Sequence, residues 1–420
     1  MQRIKYDVIV VGGGIIGTAT ARELLLRHPH LRLAIVEKES KIAAHQSGHN
    51  SGVVHTGIYY TPGSLKAKLC VEGLDLAYKY FSEKNIKYKK CGKMIVAVKK
   101  KEIKALDALY NRAVQNGVKD ISLLDSLGIK EIEPNIQGLK AIWSPNTGIV
   151  DWGEVTQSYA EDCKSMGADI YFNFKVSQFV PLQETRKTIL VQSKSMELLG
   201  QHVVTCGGLQ SDILAEMTGC NRLPRIIPFR GEYLVLRPEK SNLVKTNIYP
   251  VPEPGLPFLG VHITPRIDGS VWLGPNAVLA LKREGYGITD IKMDEAFDIL
   301  RFKGLQKLAM KHFSFGLSEV YRSINISAQV NILKQFLPTL KNSDVMRGPS
   351  GVRAQALDAN GNLVDDFIFD SGKGKFARTV LHVRNAPSPA ATSSLAIAKV
   401  IADKVREKFH IRQTESNDCL

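Results

Sequence analysis

The first forty residues restrict this chain more than any other stretch. Tyr6-Asp7-Val8-Ile9-Val10-Val11 is a short, almost unbroken apolar run, the pattern of a strand buried on both faces of a parallel sheet. Gly12-Gly13-Gly14-Ile15-Ile16-Gly17 follows at once, with Gly12, Gly14 and Gly17 in the order G-x-G-x-x-G. Thr18 to Leu26 reads as a helix ended by His28-Pro29, and Leu31 to Val36 as a second strand closed by Glu37. Gly12 permits a tight turn, Gly14 lets a pyrophosphate approach the backbone, and Gly17 lets helix and strand pack closely. The helix start around Ile15 and Ile16 offers N–H groups and a partial positive charge to an anion. Glu37, 20 residues beyond Gly17, suits two ribose hydroxyls and disfavours a 2′-phosphate. A glycine-rich turn without a ligand is the alternative, but the full order of strand, turn, helix, strand and acid argues for a dinucleotide.

The residues after Glu37 choose between FAD and NAD. Ala43 to Gly57 is a long loop of small residues where a nicotinamide enzyme would continue with another βαβ unit. Small residues suit an extended cofactor lying along the backbone. Gln201 to Asp212 reads as a strand, a glycine turn holding Cys206 and Gly207, and a helix, and it resembles the second flavin motif of FAD oxidoreductases. Arg347-Gly348-Pro349-Ser350-Gly351-Val352-Arg353 reads as a third glycine turn. Thr379 to Arg384 is a last strand, and Asn385 to Thr392, with Ser388, Pro389, Ala390 and Ala391, opens a helix running to about Lys404. Cofactor elements thus come from both ends and the middle of the chain, which points to FAD.

Composition excludes several classes. With 44% hydrophobic and 23% charged residues the chain is neither disordered nor collagenous. The six cysteines form no CxxC pair and no zinc spacing, so neither a disulfide scaffold nor a metal site is expected, and scattered thiols suit a reducing compartment. No apolar run is long enough to cross a membrane. The N-terminus enters strand-like sequence at once, leaving no room for a targeting peptide before it. The net charge of +15 invites polyanions: nucleic acid, anionic lipid or small acidic substrates. No RNA-binding aromatic set or basic tail is present, so nucleic acid is not an expected partner.

The run Gly48-His49-Asn50-Ser51-Gly52-Val53-Val54-His55-Thr56-Gly57-Ile58-Tyr59-Tyr60 resembles the signature of the L-2-hydroxyglutarate dehydrogenase family, within the D-amino-acid oxidase and glycine oxidase superfamily. Ser64 to Cys70, Pro228 to Tyr233, Gly260 to Arg266 and Asn385 to Ser394 match further blocks, and the resemblance covers Tyr6 to about Phe409. It implies an α/β fold in which a Rossmann-like FAD-binding domain carries an inserted α+β substrate domain on a mixed or antiparallel sheet. It implies oxidation of L-2-hydroxyglutarate to 2-oxoglutarate by hydride transfer to flavin N5, with a histidine base and electrons leaving to a quinone or flavoprotein carrier. The competing reading is an oxidase of another 2-hydroxy or amino acid that uses oxygen. The resemblance also implies a mitochondrial, inner-membrane-associated protein, with the presequence missing from this chain.

Histidine titrates near neutrality and is the natural base. His55, between small residues of the signature loop, is the first candidate and His262 the second; for each the alternative is a structural histidine, and for His55 also a point of covalent flavin attachment. Candidate substrate ligands are Arg353 and Arg230, for bidentate carboxylate recognition, with Lys66, Tyr249 and His382. The ion-pair reading of either arginine stays open. The expected cofactor set is Gly12, Gly14, Ile15, Ile16, Gly17, Glu37, Lys38, Ser47, Asn50, Ser51, Gly52, Cys206, Gly207, Gly351, Val352, Ser388, Pro389, Ala390 and Ala391, with the Val176 backbone at the adenine by resemblance.

The expected cofactor domain is discontinuous, at 1–90, 145–225 and 340–410, and the substrate domain takes 91–144 and 226–339. Residues 299–340 mix apolar and basic positions, as a helix face on an anionic membrane does and as ordinary packed helices also do. Residues 411–420 read as a frayed tail.

Overall fold

The computed structural model describes residues 5–182, 188–253 and 260–411, so the expected tail falls almost wholly outside the described residues. The chain divides into two compact units: Met1–Gly48, Trp152–Ile226 and Asp366–Leu420 form one, and His49–Asp151 with Ile227–Asp365 the other. Residues 49–90 and 340–365, expected with the cofactor elements, fall in the second unit. The cause is strand pairing: Val53–Val54 pairs with Gly148–Val150, and Val345–Leu357 joins the large sheet of that unit.

In the first unit the Lys5–Val11 strand lies parallel between Leu33–Val36 and Glu197–Thr205. Asp169–Tyr171 and Val380–Asn385 extend the sheet in parallel, while Gln178–Pro181 and Ile189–Gln192 add an antiparallel hairpin. Val8, Ile9 and Val10 are fully buried, as the unbroken apolar run requires. The helix Ile15–Arg27 packs on Trp152–Ser165 and on Ser394–Phe409. The last helix therefore starts after residues 388–391, which form turns and not its first helical turn.

The second unit is built on a sheet that has nine strands among the described residues. Period-two alternation gives its two faces different work. Met94 and Val96, Ile248, Ile263, Leu234 and Leu273 point into one apolar core. Their neighbours Lys93, Tyr249, His262, Thr264 and Tyr233 occupy the opposite face. The register fixes who sits beside whom: Lys93 pairs with Asn247, Tyr249 with Ile95, and Ile248 with Ile263. Arg347 to Arg353, expected as a turn, lies inside the Val345–Leu357 strand. Its glycines serve close packing, since a Cβ on Gly351 would lie 2.5 Å from the His49 carbonyl oxygen.

The basic amphipathic stretch splits. Val330, Leu333, Phe336, Leu337 and Leu340 are buried in the core, so the C-terminal half of 299–340 faces the protein. The exposed apolar residues lie further toward the N-terminus, on the helices Met293–Leu300, Lys303–Lys311 and Phe313–Ile324. No helix among the described residues is long and apolar enough to cross a membrane.

Candidate active site

The first unit carries the nucleotide turn. Gly12 has φ +117°, a conformation that favours glycine, and a Cβ there would collide with the Cys206 carbonyl. A Cβ on Gly17 would collide with the Gly12 carbonyl. Gly14, the N-cap of the Ile15–Arg27 helix, is extended and supplies no side-chain cap. The Ile15 N–H donates to the Ser47 hydroxyl at 2.9 Å, so Ser47 anchors the small-residue loop on the helix start. Glu37 is buried, and its two carboxylate oxygens accept from the Gly13 N–H at 2.7 Å and the Glu39 N–H at 2.9 Å. Each oxygen keeps a lone pair, so the acid is oriented with capacity for two hydroxyls. Lys38 is tied to Glu39 and lies 2.9 Å from His45 Nε2. Val176 is buried in the core of this unit. Burial pushes the Cys206 thiol up to about 12, which keeps it protonated and inert.

The second unit gathers the catalytic candidates. His262, buried on the strand His262–Pro265, stacks on the Tyr249 ring at 4.1 Å. Its Nδ1 lies 3.0 Å from the Thr264 hydroxyl, and among the described residues no partner is bonded to Nε2. His55 is half-buried in the signature loop, and its carbonyl accepts from the Cys70 thiol at 3.6 Å. Burial, then the charges of Lys93 and Lys66, hold His55 well below the usual histidine range. Burial, then Arg353, Lys93 and His55, do the same to His262. Both rings are therefore neutral at pH 7 and carry a lone pair for a proton. Asn50 and Ser51 also fall in this unit; the Asn50 side chain accepts from the Gly52 N–H at 2.9 Å, and its carbonyl accepts from Arg266 at 2.9 Å.

Lys93 was not among the sequence candidates. It is 1% exposed, and its Nζ lies 4.5 Å from the Tyr249 ring centre and 5.1 Å from that of Tyr59. A lysine opening an otherwise apolar strand reads as an edge residue. Only the pairing with Asn247 on a central strand shows that it is interior.

Other candidates sit elsewhere. Arg230 is buried against Glu232 at 2.9 Å and donates to the Gly287 carbonyl at 3.0 Å, which is the ion-pair reading. His382, in the first unit, is fully buried and has Thr205 and Thr218 hydroxyls 2.7 Å from its two ring nitrogens. Lys66 is buried, and its Nζ meets the exposed Asp365 carboxylate at 2.9 Å. Val352 is buried on the Val345–Leu357 strand, next to half-buried Arg353.

Comparison with known proteins agrees with this geometry. The family model described as FAD dependent oxidoreductase matches residues 7–404. A protein of Nematostella vectensis named L-2-hydroxyglutarate dehydrogenase, mitochondrial, is 59% identical over 96% of this chain and 91% of its own length. The Homo sapiens protein of the same name is 52% identical over 97% of this chain and 90% of its own. Among solved structures, L-alpha-glycerophosphate oxidase from Mycoplasma pneumoniae superposes with TM-score 0.76 at 22% identity, covering 99% of this chain and 97% of that one. That likeness bears out the Rossmann-like fold with its inserted substrate domain. FAD fits the first unit: the helix after the glycine turn starts at Gly14, which has no side chain to cap it, and an oriented acid ends the second strand. FAD is the cofactor of this enzyme, and the Gly12–Gly17 turn and Glu37 are the residues that would hold it. The chain belongs to the L-2-hydroxyglutarate dehydrogenase family of FAD dependent oxidoreductases.

Proposed function

We propose that the enzyme oxidises L-2-hydroxyglutarate to 2-oxoglutarate, in mitochondria as the names of its relatives imply, and passes the electrons to a quinone or a flavoprotein carrier. The observation that carries this reading is the pair of neutral histidines, His55 and His262, held down first by burial and then by the charges of Lys93, Lys66 and Arg353. Bound FAD supplies the acceptor for the hydride that leaves the substrate carbinol carbon. His55 takes the hydroxyl proton. The Thr264 hydroxyl, by fixing Nδ1 of His262, leaves Nε2 facing the substrate hydroxyl or carboxylate. Arg353 and Lys66 attract the substrate's carboxylates. Two arriving negative charges offset the cations that depress the histidines, so each base becomes stronger once substrate is bound.

The test is anaerobic flavin reduction against L- and D-2-hydroxyglutarate and against shorter 2-hydroxy acids. Rapid bleaching by the L-enantiomer alone is the expected result, and no bleaching by either enantiomer ends this reading. Peroxide formed stoichiometrically in air would favour the oxidase alternative over a carrier.

Docking on anionic lipid belongs to the same proposal. Met293, Phe297, Met310, Phe313, Leu317 and Ile324 are exposed on helices that also carry Lys303, Lys307 and Lys311, with Arg301 just after the first of them. Apolar insertion beside basic residues suits an interfacial surface. Flotation with cardiolipin-containing vesicles but not with neutral ones supports it; equal flotation with both removes the electrostatic half of the argument.

A further inference from the structure

Lys93 occupies a position where an uncharged residue would be the stable choice. It opens the Lys93–Ala97 strand, all five residues of which are buried. Ile95 and Ala97, on the same face, pack into an apolar cluster. No carboxylate pairs with Lys93 among the described residues, and its neighbours are the ring faces of Tyr59 and Tyr249. Cation–π contact contributes about 0.5–2 kcal/mol. The effective cost of burying a lone ammonium is several kcal/mol. Among the described residues no carboxylate makes up the difference. A second observation agrees: Tyr59, one of the two rings that Nζ faces, has a buried hydroxyl with no hydrogen-bond partner among the described residues.

We propose that Lys93 receives a carboxylate of the substrate, with the Tyr59 hydroxyl as a second donor, and so makes the site select dicarboxylic over monocarboxylic 2-hydroxy acids. This rests on the reading of the site as a 2-hydroxy-acid oxidation centre and names the group that sets its substrate class. Every 2-hydroxy acid has one carboxylate beside its carbinol. A second cation near His262 is useful only when a second carboxylate arrives, and Arg353 and Lys93 both act on that histidine.

The proposal has a pH signature. Burial lowers Lys93 to about 8, so the ammonium that the carboxylate needs disappears within reach of ordinary buffers. The titratable groups facing it are Cys70 on the Leu65–Glu83 helix, Cys91 just before its own strand, His55 and Tyr59 in the signature loop, Tyr249 and His262. Both histidines are held well below 6.5, both tyrosines are raised, and Cys91 is pushed up to about 11. Lys66 and Arg353 complete the local charge. Dicarboxylate affinity should fall about tenfold per pH unit above the lysine pKa, since binding then requires proton uptake.

The experiment compares wild type, K93M and K93R as FAD-loaded enzymes from pH 6.5 to 9.5. Anaerobic reduction gives apparent Kd for L-2-hydroxyglutarate and for L-2-hydroxybutyrate, which has the same carbinol and one carboxylate. Titration with glutarate, read as a difference spectrum of the flavin, gives binding without turnover. Wild type should lose dicarboxylate affinity above pH 8, and K93R should lose that limb because a guanidinium stays charged. K93M should weaken the dicarboxylate about a hundredfold and the monocarboxylate far less. Equal weakening of both ligands in K93M, or an alkaline limb that persists in K93R as it would if Cys70 were its source, overturns the proposal. If K93M does not retain FAD, the K93R profile decides alone. If wild-type flavin is not reduced by L-2-hydroxyglutarate, the reaction assigned above fails, and the glutarate titration still decides whether Lys93 binds a dicarboxylate.

Discussion

His382 in the first unit and His262 in the second are both buried histidines with depressed basicity, held in opposite ways. Each ring nitrogen of His382 meets a threonine hydroxyl, from Thr205 and from Thr218, and the ring ties its strand to two neighbouring segments. His262 has a hydroxyl on Nδ1 alone, an aromatic ring against its face, and two cations among the causes that keep it neutral. Burial by itself therefore does not distinguish a functional histidine from a structural one. What distinguishes them is whether the surroundings satisfy the ring or leave it in a field that only a ligand can balance. His55, on the same side of the molecule's division as His262, is likewise held down, by burial first and then by Lys93 and Lys66.

The largest expected effect lies on that side. H55A should lower the anaerobic flavin reduction rate by about 10²–10⁴-fold, the usual contribution of a positioned general base. FAD content should stay at the wild-type level, because His55 belongs to the second unit while the glycine turn and Glu37 belong to the first. A rate constant within a factor of two of wild type would move the base to His262 and leave His55 a loop residue.

The structural side predicts a pH effect on stability and not on rate. Burial, with Arg384 next, lowers His382 from 6.5 to about 4. The unfolded chain takes up a proton near 6.5, the folded chain only near 4. The stability contributed is complete above pH 6.5 and is lost progressively as pH falls toward 4, by ~3 kcal/mol in all. His55 and His262 act in the same direction, so the informative quantity is a difference between proteins. Urea midpoints for wild type and H382Q over pH 4–7.5 should converge at the acid end. Parallel curves would show that protonation of His382 carries no such cost and would break the contrast with the second unit.

How much of this was legible in the sequence follows from the range of each signal. The Gly12, Gly14, Gly17 and Glu37 pattern is local, written within one strand–helix–strand unit, and the turn forms where it is expected. The signature loop pointed to His55, and the block around Gly260 to His262. The surroundings of Lys93 and His382 come from residues distant in the chain, and so does one of the two partners of Arg230. Lys93 is interior because Asn247 pairs beside it, His382 is satisfied by Thr205 and Thr218, and Arg230 is matched by Glu232 and the distant Gly287 carbonyl. Charge type is visible in a sequence, whereas the identity of the counter-charge depends on the fold. At the C-terminal end of 299–340, where the sequence allows both a membrane face and ordinary packed helices, the residues pack into the core. The apolar positions from Val330 to Leu340 resemble those on the exposed helices, and only the sheet they cover makes them core.

The smallest expected effect is the sharpest test of where His262 belongs. T264V removes the hydroxyl bonded to Nδ1 and keeps a β-branched residue in the His262–Pro265 strand. Losing one buried hydrogen bond costs about 1 kcal/mol of stability whatever His262 does, so a fall in Tm alone says nothing. If the hydroxyl positions the ring, the variant should also reduce its flavin about five- to tenfold more slowly at saturating L-2-hydroxyglutarate, because the other tautomer and other ring orientations become populated. The acid limb of the rate should shift as well, since the hydroxyl no longer biases which nitrogen holds the proton. T264S restores the hydroxyl without the methyl and should recover both the rate and the pH profile while leaving the packing loss in place. A T264V enzyme with reduced Tm, unchanged rate and unchanged pH profile would put His262 beside His382 as a structural histidine, and His55 would then act alone.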